Sequence, residues 1–195
     1  MLLPNEYQEV KYIQSSWTQY FKIWNQFKTS YKVVIDFQMT VIWWDYVPIW
    51  IHSNNSSTNV KYWIDAYESN FHISAWGISW TKTITEDTNR HTIILNKGTA
   101  TVDGTNYTIN YTDYTFSQWI WVFCYNEYTL SPQFAYKSSN KLYKLDIYDE
   151  NWSHIYDLVP CYRIADWEIW LYDLVNDTFY TNQWTWTFTK WPDVN

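Results

Sequence analysis

Two groups of residues in this chain have the types and spacing to act on a ligand: carboxylates within or beside β-type segments, and a polar loop carrying a tyrosine and a histidine. Retaining cleavage of a glycoside needs two carboxylates about 5–5.5 Å apart, which i, i+2 or i, i+4 spacing on one strand provides. Asp146, Asp149 and Glu150 are the nearest candidates, with Asp65 and Glu68 as a second group. Glu150 falls in an Asp-Glu-Asn turn, and the spacing of Asp65 and Glu68 is wrong for one strand face. The sequence therefore predicts no catalytic pair, and no two carboxylates sharing a cleft at that separation. His52, His72, His91 and His154 are scattered, and none has a partner at metal-ligand spacing. Asp45, Asn54 and Asn55 carry oxygens that could serve Ca2+, but they form no recognisable cluster, so no cofactor is expected. Serine-nucleophile motifs, phosphate-cradling glycine loops and dinucleotide fingerprints are absent. Recognition remains. The Trp43–Asn59 stretch is its candidate seat, with Tyr46, His52, Asn54 and Asn55 as ligand contacts.

Composition narrows the partners. The 195 residues carry a net charge of −7 with 13 lysines and arginines and no basic run, which argues against nucleic acid. No apolar stretch approaches the roughly 18 residues needed to cross a bilayer. The opening Met1–Glu6 lacks the basic and apolar regions of a signal peptide, so an exported protein would travel by virion assembly or as part of a longer chain. Cys124 and Cys161 read best as small buried hydrophobes, with a single disulfide as the alternative.

The elements that must position these groups are short and β-type. Tyr31–Thr40 alternates, with Val33, Ile35, Phe37 and Met39 on the face expected inside and Lys32, Asp36 and Gln38 opposite. Trp43–Asn59 reads as a loop joined to a short strand. Lys61–Ala66, Phe71–Ala75 and Lys82–Thr85 suit a meander. Arg90–Val102 reads as a hairpin about Lys97-Gly98, with glycine supplying the positive φ there and at Asp103-Gly104. Gln118–Tyr125 reads as a strand buried on both faces, and Lys141–Tyr148 as an alternating one. Later strands are expected at His154–Val159, Glu168–Tyr172, Thr178–Thr181 and Thr185–Thr189. About a dozen strands, frequent turns and no sustained helical stripe predict an all-β, two-sheet antiparallel sandwich in a single domain over residues 1–195.

One feature of composition conflicts with that fold. The chain has 16 tryptophans and only 3 glycines in 195 residues, against a usual glycine share of about 7%. A turn-rich β domain needs glycine, because positive φ resists a bulky side chain. Tryptophan stands instead at turn positions, after Asn151 at Trp152 and after Asp166 at Trp167. With tryptophan read as glycine, the C-terminal region becomes ADGEIGLYDLVNDTFYTNQGTGTFTKG, and residues 12–24 become YIQSSGTQYFKIG. Both strings resemble the terminal signatures of concanavalin A-like lectin/glucanase (laminin-G-like) modules of phage tail-associated and gut bacterial surface proteins, the second being similar to "YIESTGTQYIDTG". The substitution also falls on Trp17, Trp170, Trp184, Trp186 and Trp191. The resemblance covers both ends, more loosely the middle, and lacks the glucanase E-x-D-x-x-E pattern. It implies a concanavalin A-like jelly roll that recognises a glycan or cell-surface polysaccharide, or contacts other virion proteins, in a virion or at a cell surface. A virion decoration domain without a sugar site is the second reading, and a β-glucanase the third. UGA codons meaning glycine but translated as tryptophan would explain the pattern. Trp152 and Trp167 are then expected to be exposed in turns, at least one of them with positive φ.

Overall fold

The strictest alternation in the sequence sets the layering. Along Lys32–Met39, Val33, Ile35, Phe37 and Met39 are fully buried, while every intervening residue is partly exposed. Burying side chains of this size stabilises the fold by about 1.5–3 kcal/mol each. The computed structural model describes residues 2–16, 19–24, 26–41, 46–52, 61–67, 70–75, 82–85, 87–117, 119–124, 139–183 and 187–194. At Trp24, Tyr46, Val47, Trp50, His52, Ala66, Tyr67, Lys82, Thr83, Thr85 and Trp191 the description is of the backbone alone.

The strands in chain order are β1 (Tyr7–Gln14), β2 (Phe21–Trp24), β3 (Phe27–Lys28), β4 (Lys32–Met39), β5 (Tyr46–His52) and β6 (Lys61–Tyr67). There follow β7 (Asn70–Ser74), β8 (Lys82–Thr85), β9 (Arg90–Asn96), β10 (Thr99–Val102), β11 (Thr105–Thr108) and β12 (Thr115–Phe116). The last six are β13 (Trp119–Val122), β14 (Asn140–Tyr148), β15 (His154–Arg163), β16 (Ile169–Asp173), β17 (Thr178–Thr181) and β18 (Thr189–Asp193). No helix occurs among the described residues.

A ten-stranded sheet runs β11-β10-β9-β4-β14-β1-β15-β16-β17, with β18 on β1. A six-stranded sheet runs β2-β13-β5-β6-β7-β8, and β3 pairs with β12 in a small third sheet. The pairings between these strands are antiparallel. One core joins the two large sheets: the inner residues of β4 share a cluster with Ile49, Ile51, Tyr62, Ile64, Phe71 and Ile73 of the smaller sheet. Phe37 meets Phe71 edge-on at 5.8 Å. The architecture is an antiparallel β-sandwich, as the alternation predicts.

Both outer faces also carry apolar clusters. Tyr20, Trp63, Trp121 and Cys124 form one, and Val159, Cys161 and Tyr172 form the other. The cysteines are buried, free and in different clusters, so the disulfide alternative is ruled out. Burial pushes the Cys161 thiol up to about 12, leaving it unreactive near neutral pH.

Three local features depart from the sequence reading. Strict alternation along β14 would separate Leu142 from Leu145 and Ile147. A register shift between Leu142 and Lys144 changes the phase, and all three are buried. The short strand expected beside the loop of Trp43–Asn59 is Tyr46–His52, seven residues long and set between β13 and β6, with Pro48 accommodated at a register shift between Tyr46 and Ile49. The expected Thr185–Thr189 strand lies partly outside the described residues, and the observed strand begins at Thr189. At the β9–β10 turn, Lys97 rather than Gly98 takes the positive φ, 52°. Hairpin turns of both primed types require positive φ at the first central residue, whatever its identity. Asp103-Gly104 follows expectation, with φ of 48° and 83°.

Trp152 and Trp167 have φ of 66° and 64°, and each is 62% exposed. Backbone hydrogen bonds hold both turns: Trp152 N–H donates to the Asp149 carbonyl at 3.2 Å, and Trp167 N–H to the Arg163 carbonyl at 2.8 Å. Trp170 differs. It lies in extended β16 and packs edge-on against Phe179 at 5.2 Å, so its backbone makes no demand for glycine. Trp191 lies in β18, and Trp17, Trp184 and Trp186 lie outside the described residues.

Candidate functional site

The strand order brings three sequence-distant turns to one end of the ten-stranded sheet. Lys32, the first residue of β4, pairs with Asn96 on one side and Tyr148 on the other. The chain before β4, the turn after β9 and the turn after β14 therefore emerge together. Residues 111–115 close over them. Thr29 N–H donates to the Tyr114 carbonyl at 3.0 Å, Tyr114 N–H to Thr29 Oγ1 at 2.9 Å, and Thr29 Oγ1 to the Thr112 carbonyl at 2.7 Å. Ile109 N–H donates to the Gly98 carbonyl at 3.0 Å and ties the hairpin turn to the same strap.

Between these segments lies a polar cleft. Its larger part, about 540 Å³, is lined by Lys28, Ser30, Lys97, Asp113, Tyr114, Thr115 and Glu150. An adjoining part of about 110 Å³ is bordered by Lys32, Asn96, Asp149 and Trp152, and shares Ser30, Lys97 and Glu150 with the first. The volume suits a small ligand, but the lining is far more polar than that of an apolar cofactor site.

Glu150 organises one wall. Lys28 Nζ donates to its Oε1 at 2.7 Å and Ser30 Oγ at 3.2 Å. The Lys28 hydrogen bond holds the Glu150 carboxyl below its ordinary value and raises Lys28 in turn. Asp149 fixes the turn, accepting the Asn151 N–H at 2.8 Å and the Ser153 N–H at 2.9 Å on Oδ1. Asp113 accepts a hydrogen bond from the Tyr111 hydroxyl. Desolvation, then that bond to Asp113, pushes Tyr111 up to about 12.

Three carboxylates, Asp113, Asp149 and Glu150, thus border one cleft, a sharing the sequence did not reveal. Glu150 is shifted in the wrong direction for a general acid at neutral pH, which needs a raised pKa. Of the other glycosidase candidates, Asp146 lies outside the cleft. Burial raises its carboxyl, against the pull of Lys144. Its Oδ1 lies 3.2 Å from Lys144 Nζ and 2.9 Å from His154 Nε2. Asp146, His154 and Asp157 offer ligand atoms within 4.8 Å of one another. Lys144 Nζ, also 3.3 Å from Asp157 Oδ1, already supplies the positive charge such a trio would attract. Asp65 pairs across strands with His72 at 3.2 Å, and burial raises its carboxyl. Glu68 lies outside the described residues.

His72, His91 and His154, which read as isolated, have carboxylate partners among the described residues. His91 lies 2.6 Å from Asp103 and 2.9 Å from Asp87. Such partners come from hairpins and neighbouring strands, where sequence spacing does not show them. Of the predicted contacts, Tyr46 and His52 stand at opposite ends of β5, paired with Ala66 and Lys61. Their Cα positions are roughly 20 Å apart at about 3.3 Å per residue. Their side chains, and all of Asp45, Asn54 and Asn55, lie outside the described residues. The cleft residues were missed because each reads alone as ordinary turn chemistry. The strand order is what assembles them. No protein-family model matches this chain, and no curated protein matches it at a significant level.

Proposed function

We propose that this chain is a non-catalytic recognition module, a concanavalin A-like (laminin-G-like) jelly roll of a phage tail or bacterial surface protein, that binds a glycan through the end cleft. The observation that carries the reading is the cleft itself. It combines hydroxyl, ammonium and carboxylate groups on anchored turns with the Tyr114 ring, the mixture a hydroxyl-rich ligand requires. The test is a glycan array followed by titration with the best binder. Ser30→Ala and Glu150→Ala are expected to weaken binding, and neither laminarin nor a mixed-linkage glucan is expected to be hydrolysed. Binding that survives both substitutions would place the ligand elsewhere. No binding at all would favour a virion decoration domain.

We further propose that positions 152 and 167 are glycine in the protein its source organism makes, through UGA codons read there as glycine. The positive φ and exposure of Trp152 and Trp167 support this. Trp152 borders the smaller part of the cleft, but on this reading its ring is no part of the ligand contacts.

A further inference from the structure

We infer that the ligand of this cleft is an acidic saccharide whose anionic substituent pairs with Lys97; the inference rests on the recognition reading above. Three residues line both parts of the cleft: Ser30, Lys97 and Glu150. The carboxylates of the site already have protein donors: Lys28 and Ser30 on Glu150, backbone N–H groups on Asp149, and the Tyr111 hydroxyl on Asp113. Its cations are not matched in the same way. Lys28 is paired, but Lys97 makes no ion pair or hydrogen bond among the described residues. Lys32 lies about 5.0 Å from the Tyr148 ring, with no carboxylate on it among the described residues. Two ammonium groups thus border the cleft outside any ion pair among the described residues, beside the carboxylates already named.

The backbone at Lys97 decides which substitution can test this. Its φ of 52° lies in the left-handed region, where glycine, asparagine or aspartate would sit at less cost. A neutral sugar would leave the ammonium unmatched. A carboxylate or sulfate ester on the sugar would accept a charge-assisted hydrogen bond from it.

The strain also supplies a clean test. Lys97→Gly removes the ammonium and relieves the left-handed backbone, so the variant should fold with an unchanged or higher melting temperature. The full chain would be titrated with oligogalacturonate, a sulfated glycosaminoglycan fragment and a neutral β-glucan oligosaccharide. We expect at least one acidic ligand to bind, the neutral one to bind more weakly, and Lys97→Gly to lose roughly tenfold in affinity for the acidic one. Lys97→Arg should retain binding. The acidic arm that responds identifies the anion as carboxylate or sulfate. Equal binding of the neutral oligosaccharide, unchanged by Lys97→Gly, would overturn this inference and leave the recognition reading standing. Failure of all three to bind the folded protein would overturn this inference, and a blank glycan array would overturn the recognition reading with it.

Discussion

Trp152 and Trp121 carry the same side chain under opposite physical demands. Trp121 is 1% exposed, packed with Tyr20 and Trp63, with the Lys22 ammonium 4.5 Å from its ring. Trp152 has φ of 66° and projects from a turn. A side chain in the left-handed region costs about 1–2 kcal/mol relative to glycine, and the exposed Lys32 contact returns only about 0.5–1. Comparing glycine with alanine removes the ring from the argument, because both variants lack it. Trp152→Gly should therefore be more stable than Trp152→Ala by about 1 kcal/mol in urea unfolding. The same order is expected at Trp167, where both variants lose the stack on Tyr162. Trp121→Gly should lose about 4 kcal/mol or more. If alanine equals glycine at both turns, the backbone has no preference and the case for native glycine fails. TGG codons at positions 152 and 167 would end it outright. These two sites were legible because tryptophan followed asparagine or aspartate where a turn was due. Phe123, with φ of 67°, was not, because nothing in its apolar run marks a turn.

At the scale of elements, legibility followed the regularity of hydrogen bonding. β4 alternates without interruption, because the bulge in its ladder with β14 falls on β14, so its inward face could be read directly from residues 31–40. Phe37→Ala should lose about 3–5 kcal/mol, whereas breaking the exposed Asp36–Arg90 pair with Asp36→Ala should lose less than about 1. Equal losses would contradict the layering. β14 and β5 were harder to read because a shift of register moves side chains between faces without leaving a mark in composition. The turns make a separate prediction about acid. Lys28 holds the carboxyl of Glu150 below its ordinary value, and Arg163 does the same for Asp166. A depressed folded-state pKa gives stability that is present above the ordinary carboxylate value and lost as pH falls through the depressed one. Unfolding free energy should therefore decline below about pH 4. Asp166→Asn should make that decline shallower, which urea midpoints measured across the acid range would show. Asp146 acts with the opposite sign. Burial raises its carboxyl, so its cost is present above the folded pKa and is relieved as pH falls.

At the scale of the molecule, the sandwich and the cleft are consequences of one topology. The sequence showed that strands alternate, but not that β4 lies between β9 and β14. That order is what gathers Ser30, Lys97 and Glu150, which sit in three separate turns. The same order bears on stability. The larger sheet contributes Val33, Ile35 and Phe37 to a core whose other half is Ile49, Ile64 and Phe71, so neither sheet keeps its apolar face covered alone. Uncovering that interface exposes both halves together, and the cost falls on the whole chain rather than on one layer. Native-state hydrogen exchange should then find the slowest amides of β4 and β6, at Ile35 and Ile64, opening with the same free energy and the same denaturant dependence. A lower opening free energy for Ile64, insensitive to Phe37→Ala, would mean that the six-stranded sheet unfolds as a separate unit. Matched values, both lowered by that substitution, are what a shared core requires.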